Sequence, residues 1–483
     1  MPVTHLTDFS DRLSPMLVKE LRQGMRARSF TMLFLIFQLL LAFILLTAGS
    51  STNSEDSGGI ASGVIFTMFS IAVLFIQPMR GLSALSVEIT GNTIEMMTLT
   101  RLTASRIVFG KWIAIVSQSA LLLITIIPYL ILRYFYGGMM LLAELVLLTL
   151  IFLTSMALTA LMVGLSGTST KIIRALPVFA FIGMMSSLPG LLLGSSTRFV
   201  FGSFTLSSWE SQVAVLAYLS FITYIGWCAL SYGISAIAPQ AANHSTLRRI
   251  IALVLACIAA AVGQHHAVDP RATLAIFGII LAPAIITALT EHAVPLPPIC
   301  KPFLKRGLLG RCASLFLLPG WPAGAFYSAL LLLISILGTW LAEDPTNIKV
   351  GTAEWAVCLA FSGAVIFPAL LATFFTKQPS KRFTNFIIFT LISVVLTILP
   401  AIFANTNNHE SYLWLFIWNP PVVLTLVDES SIDKSNLLMA IIAVDVLYLS
   451  LLLIKAGAAY RGYRGIFQEA KNDLTTAVTP NLP

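Results

Sequence analysis

Long uncharged apolar stretches alternate along the chain with short polar or basic segments, beginning at Phe30 and ending close to Lys455. The hydrocarbon core of a bilayer is about 30 Å thick and is crossed by roughly 20 helical residues, so each stretch of that length predicts one transmembrane helix. About twelve such helices are predicted, which indicates an all-α, polytopic membrane protein. The predicted spans are residues 30–49, 59–79, 112–132, 139–164, 173–194, 212–237, 250–264, 273–292, 322–341, 355–376, 383–403 and 437–456.

A different pattern precedes the first span, where apolar residues recur at i, i+3 and i+4 over residues 14–28 and basic residues occupy the opposite face. Ser14 is a favourable N-cap, and Pro15 suits the first helical position because the N–H that it lacks would have no partner there. The pattern predicts an amphipathic helix in the headgroup layer, with its basic face towards anionic lipid and the cytoplasm. The alternative is a basic flank that only fixes topology.

The distribution of Lys and Arg predicts that both termini are cytoplasmic, because short cytoplasmic loops are enriched in these residues. With an even number of crossings, all but five of the 29 basic residues lie on the cytoplasmic side. The exceptions are Arg133, Arg198, Arg271, Lys349 and Lys434. An apolar stretch at 412–427 is not counted as a span, because Asn419, Pro420 and Pro421 interrupt any helix there. We interpret it as re-entrant or interfacial.

Composition agrees with this class, since 57 % of the residues are hydrophobic and only 10 % are charged, values that are unusual for a soluble globular protein. The net charge of +8 does not indicate nucleic-acid binding, because the basic residues are dispersed between apolar runs and form no solvated basic face. The predicted spans contain no H-E-x-x-H or Ser-His arrangement, and the five cysteines lack C-x-x-C spacing. The sequence therefore predicts neither an intramembrane enzyme nor a metal site.

The most strongly patterned cytoplasmic loop is predicted between the second and third spans, at residues 80–111. Asn92 and Glu95 have the spacing of a capping box, and Thr103 is a suitable cap for a second helix that continues into the third span. The loop is expected either to form a short helix that fits a groove on a cytoplasmic partner or to be an ordinary connection between spans.

Two segments resemble export-type permeases of ATP-binding-cassette transporters. The segment S-P-M-L-V-K-E-L-R-Q-G-M-R-A-R resembles the elbow helix of that family, and T-I-E-M-M-T-L-T-R-L-T-A-S-R-I-V-F-G-K-W resembles its coupling-helix region. The resemblance implies an elbow that contains Lys19, Glu20 and Arg22. It also implies that the nucleotide-binding subunit contacts Glu95, Met96, Leu99, Thr100, Arg101 and Thr103.

The resemblance covers about residues 14–240, and about six further spans depart from the compact six-span pattern of the family. No second elbow or coupling motif follows Arg248, and we interpret the basic segment at 301–311 as a loop. The resulting organisation is an amphipathic elbow helix (1–29), a six-helix permease core (30–240), an additional helical membrane region (241–460) and a cytoplasmic tail (461–483).

The resemblance further implies a plasma-membrane exporter built from two permease chains, identical or related, and two cytoplasmic ATPase subunits. ATP and Mg²⁺ are expected in the ATPase, because this chain has no G-x-x-x-x-G-K-[ST] motif that could cradle a phosphate. This chain is therefore expected to hold no cofactor and to be a transport subunit, not an enzyme.

An ion-coupled secondary transporter is the alternative function, since about twelve spans with cytoplasmic ends suit that class as well. It requires polar groups at membrane depth, and the candidates are Gln118, Glu144 and Asp445. The same residues also suit hydrogen bonding between helices or, for Glu144, a position near the outer headgroups. Spans lined by Leu, Phe, Met and Ala favour a lipid-like or drug-like substrate.

Overall fold

The computed structural model describes residues 15–50, 57–91, 93, 102–134, 141–168, 209–239, 242–264, 270–343, 350–407, 410–427 and 433–478. Within these ranges all regular secondary structure is helical, and 11 helices are long and apolar enough to cross a bilayer. The protein is therefore an all-α, multi-pass membrane protein. It divides into two compact units, Met1–Ala238 and Pro239–Pro483.

Eleven of the twelve predicted spans each overlap one of the observed helices that could cross a bilayer, although their ends differ. They include the short predicted span at 250–264, which is helical over Ser245–Gly263. The predicted span at 173–194 lies outside the described residues. Large apolar side chains cover the outer surfaces of the spans, as shown by Leu46, Met439 and Ile454, whose exposed fractions are 74 %, 71 % and 70 %. Water would penalise such a surface, whereas the acyl chains of a bilayer match it.

The first unit begins with the short helix that the amphipathic pattern predicts, followed by long apolar helices. Fully buried side chains of three helices, such as Leu41, Ile65 and Leu122, form its core. Its helices are α1 (Pro15–Arg26), α2 (Arg28–Ser50), α3 (Ser57–Ser70), α4 (Ser86–Thr90), α5 (Ala104–Tyr134), α6 (Leu141–Leu165) and α7 (Trp209–Ile237).

The second span is irregular between α3 and α4, where the chain passes through a π-helical segment, Ile71–Ile76. In that register the N–H of residue 78 would reach the carbonyl of Val73, but Pro78 has no N–H. The hydroxyl of Ser155 in α6 donates to the Val73 carbonyl instead, at 2.6 Å. A side chain of a neighbouring helix thus satisfies the backbone group that Pro78 leaves free.

The second span also extends further than the hydropathy predicts, because the candidate span runs over Gly63–Thr90. The predicted loop therefore does not begin at Arg80. Arg80 Nη1 donates to Gln118 Oε1, and the guanidinium lies 5.8 Å from the centre of the Phe30 ring. These contacts stabilise the Arg80 guanidinium next to the apolar part of the second span, so the helical chain continues beyond Arg80.

All regular secondary structure among the described residues of the second unit is also helical. Its core includes the fully buried side chains of Tyr327 and Phe277. Its helices are α8 (Ser245–Gly263), α9 (Pro270–Thr290), α10 (Pro297–Lys305), α11 (Gly307–Leu317), α12 (Trp321–Ala342), α13 (Thr352–Phe375), α14 (Arg382–Asn407), α15 (Val423–Val427), α16 (Lys434–Arg461) and α17 (Arg464–Val478).

The interpretation of residues 301–311 as a loop is wrong, since they lie in the two short helices α10 and α11. Pro297 favours the start of α10, and Pro302 is tolerated inside it at the loss of one backbone hydrogen bond. Gly307 has a φ of +65°, a conformation that glycine adopts without strain and that allows the chain to turn between the two helices.

The apolar stretch at 412–427 is interrupted where the sequence predicts. The chain forms two 3₁₀ segments, Glu410–Phe416 and Pro420–Val422, before the short helix α15. The side chain of Asn419 is fully buried at this break, and its Nδ2 donates to the carbonyl of Ser393 in α14 at 2.9 Å. This hydrogen bond therefore connects the non-helical break to α14.

Candidate functional site

The predicted elbow helix α1 packs against the beginning of α5. Met16 of α1 is buried, and a Cβ added to Gly110 of α5 would lie 3.5 Å from Met16 Cγ. The absence of a side chain at Gly110 lets the two helices approach closely. Lys19 and Arg22 lie on the exposed side of α1, which agrees with the predicted amphipathic arrangement.

Lys111 of α5 joins three elements of the first unit. Its Nζ lies 3.0 Å from Glu20 Oε1 in α1 and 3.1 Å from Glu88 Oε1 in α4. The Lys111 side chain is only 8 % exposed, and the two Glu side chains are 18 % and 14 % exposed. We call Glu20, Glu88 and Lys111 the ionic junction. A mostly buried cation of this kind requires anionic partners, because burial removes its hydration.

The ionic junction flanks the predicted docking residues 95–101 on both sides. Glu88 also accepts a hydrogen bond from the hydroxyl of Thr93, just before those residues. On the other side, Thr103 Oγ1 accepts from the Arg106 N–H at 3.4 Å, and α5 begins at Ala104. Thr103 is therefore the N-terminal cap that the sequence predicts. The other predicted docking residues lie outside the described residues: Glu95, Met96, Leu99, Thr100 and Arg101.

Gln118 takes part in a hydrogen bond between helices. It is 3 % exposed, and its Oε1 accepts from Arg80 Nη1. A Cβ added to Gly24 of α1 would collide with the Gln118 amide, so α1 also closes over this side chain. The structure thus places Gln118 beneath α1, where its amide oxygen accepts a hydrogen bond from Arg80 of the second span.

Glu144 lies in the first turn of α6 and is 2 % exposed. An acidic residue in the first turn of a helix is favoured by the positive end of the helix dipole. The Glu144 side chain is packed inside the first unit.

Asp445 lies in the middle of α16, where this helix crosses α13 beside the break at 419–421. It is 8 % exposed, its carboxylate oxygens accept no well-formed hydrogen bond among the described residues, and the Ser362 side chain of α13 lies close to it. A Cβ added to Gly363 of α13 would collide with Asp445 Oδ1 and lie 2.8 Å from Pro420 Cβ. Only glycine therefore permits this crossing. A carboxylate without well-formed hydrogen bonds is costly in a membrane span, which makes Asp445 a candidate functional residue.

Asp445 also borders a cleft of about 480 Å³ between α12, α13 and α16. The walls are formed by aliphatic side chains and by two tryptophans near helix ends, Trp340 and Trp355. The other polar side chain in the wall is Ser362, whose hydroxyl donates to the Leu359 carbonyl at 2.8 Å. A cleft of this composition suits an apolar or amphipathic molecule.

A second group of charges, which the sequence analysis did not identify, lies around Glu291 in the second unit. Glu291 Oε2 is 2.8 Å from Arg249 Nη2, and Glu291 Oε1 is 3.2 Å from Arg248 Nη2. Arg249 also donates to the carbonyls of Leu318 and Gly320, at 2.5 and 3.0 Å. These bonds tie the start of α8 to the connection before α12. In the sequence, this group is marked only by the two adjacent arginines.

Among the described residues, no group of three or more His, Cys, Asp or Glu side chains is placed to hold a metal ion. Comparison with known proteins adds no relative from which a function could be transferred: no family model, no curated protein and no solved structure matches the chain.

Proposed function

We propose that this chain is the membrane-spanning permease subunit of an ATP-binding-cassette exporter, energised by a separate cytoplasmic ATPase. The observation that carries the proposal is the ionic junction, in which Lys111 holds both Glu20 of the elbow helix and Glu88 at the end of the second span. The sequence resemblance in the same two segments supports it.

A subunit that receives force from a motor needs a rigid connection between its docking loop and its spans, because packed helices move as rigid bodies. Glu88 and Thr93 precede the predicted docking residues 95–101, and Thr103 and Lys111 follow them. A displacement of the loop ends would consequently move α1, α4 and α5 together. The proposal therefore accounts for the mostly buried ion pairs that connect both ends of this short segment to the helices.

In this proposal the ATPase contacts Glu95, Met96, Leu99, Thr100, Arg101 and Thr103. ATP and Mg²⁺ bind to the ATPase, and two permease chains, identical or related, assemble with two ATPase chains in the plasma membrane. The apolar clefts and spans favour a lipid-like or drug-like substrate, which this subunit conducts without chemical change.

The test is co-purification with an ATPase, and the candidate is a neighbouring gene whose product carries a G-x-x-x-x-G-K-[ST] motif. The double variant Glu95→Lys, Arg101→Glu should lose most of the bound ATPase and still insert into the membrane, because reversed charges at a docking surface repel the partner. The matched control reverses the Arg271–Glu354 ion pair, which has an N–O distance of 2.9 Å in the second unit. Unchanged co-purification of the Glu95 and Arg101 variant would overturn the docking assignment.

An ion-coupled carrier is the second candidate, and the buried carboxylate of Asp445 favours it. Such a carrier would bind a proton or cation at membrane depth and work without any ATPase. Proton-driven uptake by the purified chain in liposomes, abolished in Asp445→Asn but retained in Ser450→Ala at an exposed position of the same helix, would replace the first proposal. Absence of uptake without the ATPase would exclude the carrier.

A further inference from the structure

A second cleft, of about 550 Å³, lies at one end of the second unit between α11, the end of α16 and α17. Arg311 of α11 and Arg464 of α17 both line it, and so does Lys471. No Asp or Glu is among the described residues that line the cleft. The nearby Asp473 forms an ion pair with Lys301 at 3.0 Å and is therefore already neutralised. The cleft thus carries concentrated positive charge.

Two of these cations have no partner among the residues that the structure describes. The guanidinium groups of Arg311 and Arg464 are exposed, and neither forms a hydrogen bond or ion pair with those residues. The two arginines come from different helices and line one cleft, where their like charges repel each other. A planar guanidinium group binds a phosphate through two parallel N–H donors, which lysine cannot reproduce.

The remaining lining of the cleft suits the rest of a phospholipid headgroup. The Ser314 hydroxyl and the Tyr460 hydroxyl lie 3.3 Å apart and supply donors and acceptors. Leu304 and Phe467 supply an apolar wall. A free inorganic anion needs only the polar groups, whereas an amphiphile uses both kinds of surface.

The cleft lies beside the membrane boundary. Tyr460 is in the last turn of α16, a membrane span, and α17 begins three residues after that span ends. At the beginning of α11, Leu308 and Leu309 are 79 % and 83 % exposed, with Lys305 and Arg306 next to them. Exposed leucines beside basic residues are typical of helices that insert into the headgroup layer.

We propose that this cleft binds the phosphate group of an anionic phospholipid, held by Arg311 and Arg464, while Leu308 and Leu309 lie in the headgroup layer. Charge complementarity selects the anionic lipid over a zwitterionic one. The site is independent of the docking loop, so it would stand if the proposed ATPase coupling failed.

The test measures the lipids that the full-length protein retains. The protein is purified from membranes that contain phosphatidylglycerol and phosphatidylcholine, and the ratio of the two bound lipids is measured by mass spectrometry. In Arg311→Gln, Arg464→Gln, this ratio should fall by roughly tenfold, because two cations near the membrane surface are lost. The control Lys377→Gln, Lys381→Gln removes two exposed cations from the same predicted side and should leave the ratio unchanged.

Two further measurements keep the result unambiguous. The unfolding temperature in nanodiscs of phosphatidylcholine alone should be equal for the wild type and the Gln variant, which excludes a folding defect. Phosphatidylglycerol should raise this temperature for the wild type, and inorganic phosphate should not. A ratio that stays unchanged in the Gln variant, or an equal response to inorganic phosphate, would overturn the proposal of a lipid site.

Discussion

At the scale of single residues, Lys111 shows how a charge is retained beside a membrane. Its ammonium group is largely removed from water and lies within 3.1 Å of both Glu20 and Glu88. Each carboxylate in turn depends on Lys111 for compensation. Removing one member of such a group leaves a charge that is neither hydrated nor paired, and this is more costly than removing the whole group.

We expect Lys111→Met to destabilise the protein by about 3 kcal/mol, the lower end for breaking a buried ion pair, since both Glu side chains keep some contact with solvent. The unfolding temperature of the purified protein in detergent measures this effect. The triple variant Lys111→Met, Glu20→Gln, Glu88→Gln removes all three charges and should recover much of the loss. An unchanged unfolding temperature for Lys111→Met alone would show that the ionic junction does not stabilise the fold.

Only part of the residue-level picture could be predicted from sequence. Thr103 was predicted as a helix cap because capping depends on neighbours three residues away. The partners of Glu20 and Gln118 could not be predicted, because Lys111 is 91 residues from Glu20 and Arg80 is 38 residues from Gln118. Such pairs depend on how helices pack, which a single sequence does not reveal.

At the scale of secondary-structure elements, α6 and α7 are held together through small residues. A Cβ added to Gly164 of α6 would collide with the backbone carbonyl of Ala229 in α7. At Gly233 of α7, an added Cβ would lie 2.9 Å from Gly164 Cα. Close backbone approach is a common basis for helix association in membranes, where lipid removes the hydrophobic driving force.

The substitution Gly164→Ala is therefore expected to destabilise the first unit by about 2 kcal/mol, because backbone atoms cannot move aside for the new methyl group. Thermal unfolding in detergent measures the change. The matched control is Gly226→Ala on the same interface, where the added Cβ would lie 3.4 Å from Ala157 Cα in ordinary contact. Equal stability of the two variants would contradict the assigned packing.

Hydropathy predicted the spans well but not their ends. The second span continues to Thr90 because Arg80 forms a hydrogen bond with Gln118 and a cation–π contact with Phe30. An average of hydropathy over neighbouring residues does not include such contacts. The helices α10 and α11 were missed for a related reason. Pro302 and a run of basic residues indicate a loop, whereas packing of Cys300 and Ile299 against Ala470 supports a helix at α10.

At the scale of the whole molecule, the orientation in the membrane is a prediction from loop charges, and Cys312 can test it. Cys312 is an exposed thiol in α11, a segment predicted to be cytoplasmic, whereas Cys228 and Cys300 are buried. Burial also raises the pKa of Cys300 to about 11, so this thiol stays protonated and unreactive at neutral pH. Cys257 and Cys358 lie within spans.

A charged, membrane-impermeant maleimide should therefore label Cys312 in inside-out vesicles and leave intact cells unlabelled. Labelling is measured by the mass shift of the purified protein. The variant Cys312→Ser should abolish the signal. Labelling of Cys312 in intact cells would reverse the predicted orientation and, with it, the cytoplasmic position of the docking loop.

The prediction of a multi-pass membrane protein was possible because hydropathy and loop charge are patterned along the whole chain. Within the described ranges, eleven helices are long and apolar enough to cross a bilayer, as that prediction requires. The function could not be reached in the same way. It depends on a few residues such as Asp445 and Lys111, whose surroundings are formed by helices distant in sequence.

The π-helical segment Ile71–Ile76 has a consequence for the angular phase of the second span. An extra residue in one turn rotates everything after it by about 100° relative to an uninterrupted α-helix. Glu88 lies after this segment, so its direction around the helix axis depends on the wide turn. An uninterrupted α-helix through positions 71–76 would turn Glu88 away from Lys111, whereas deletion of one residue there would remove the wide turn and keep the direction of Glu88.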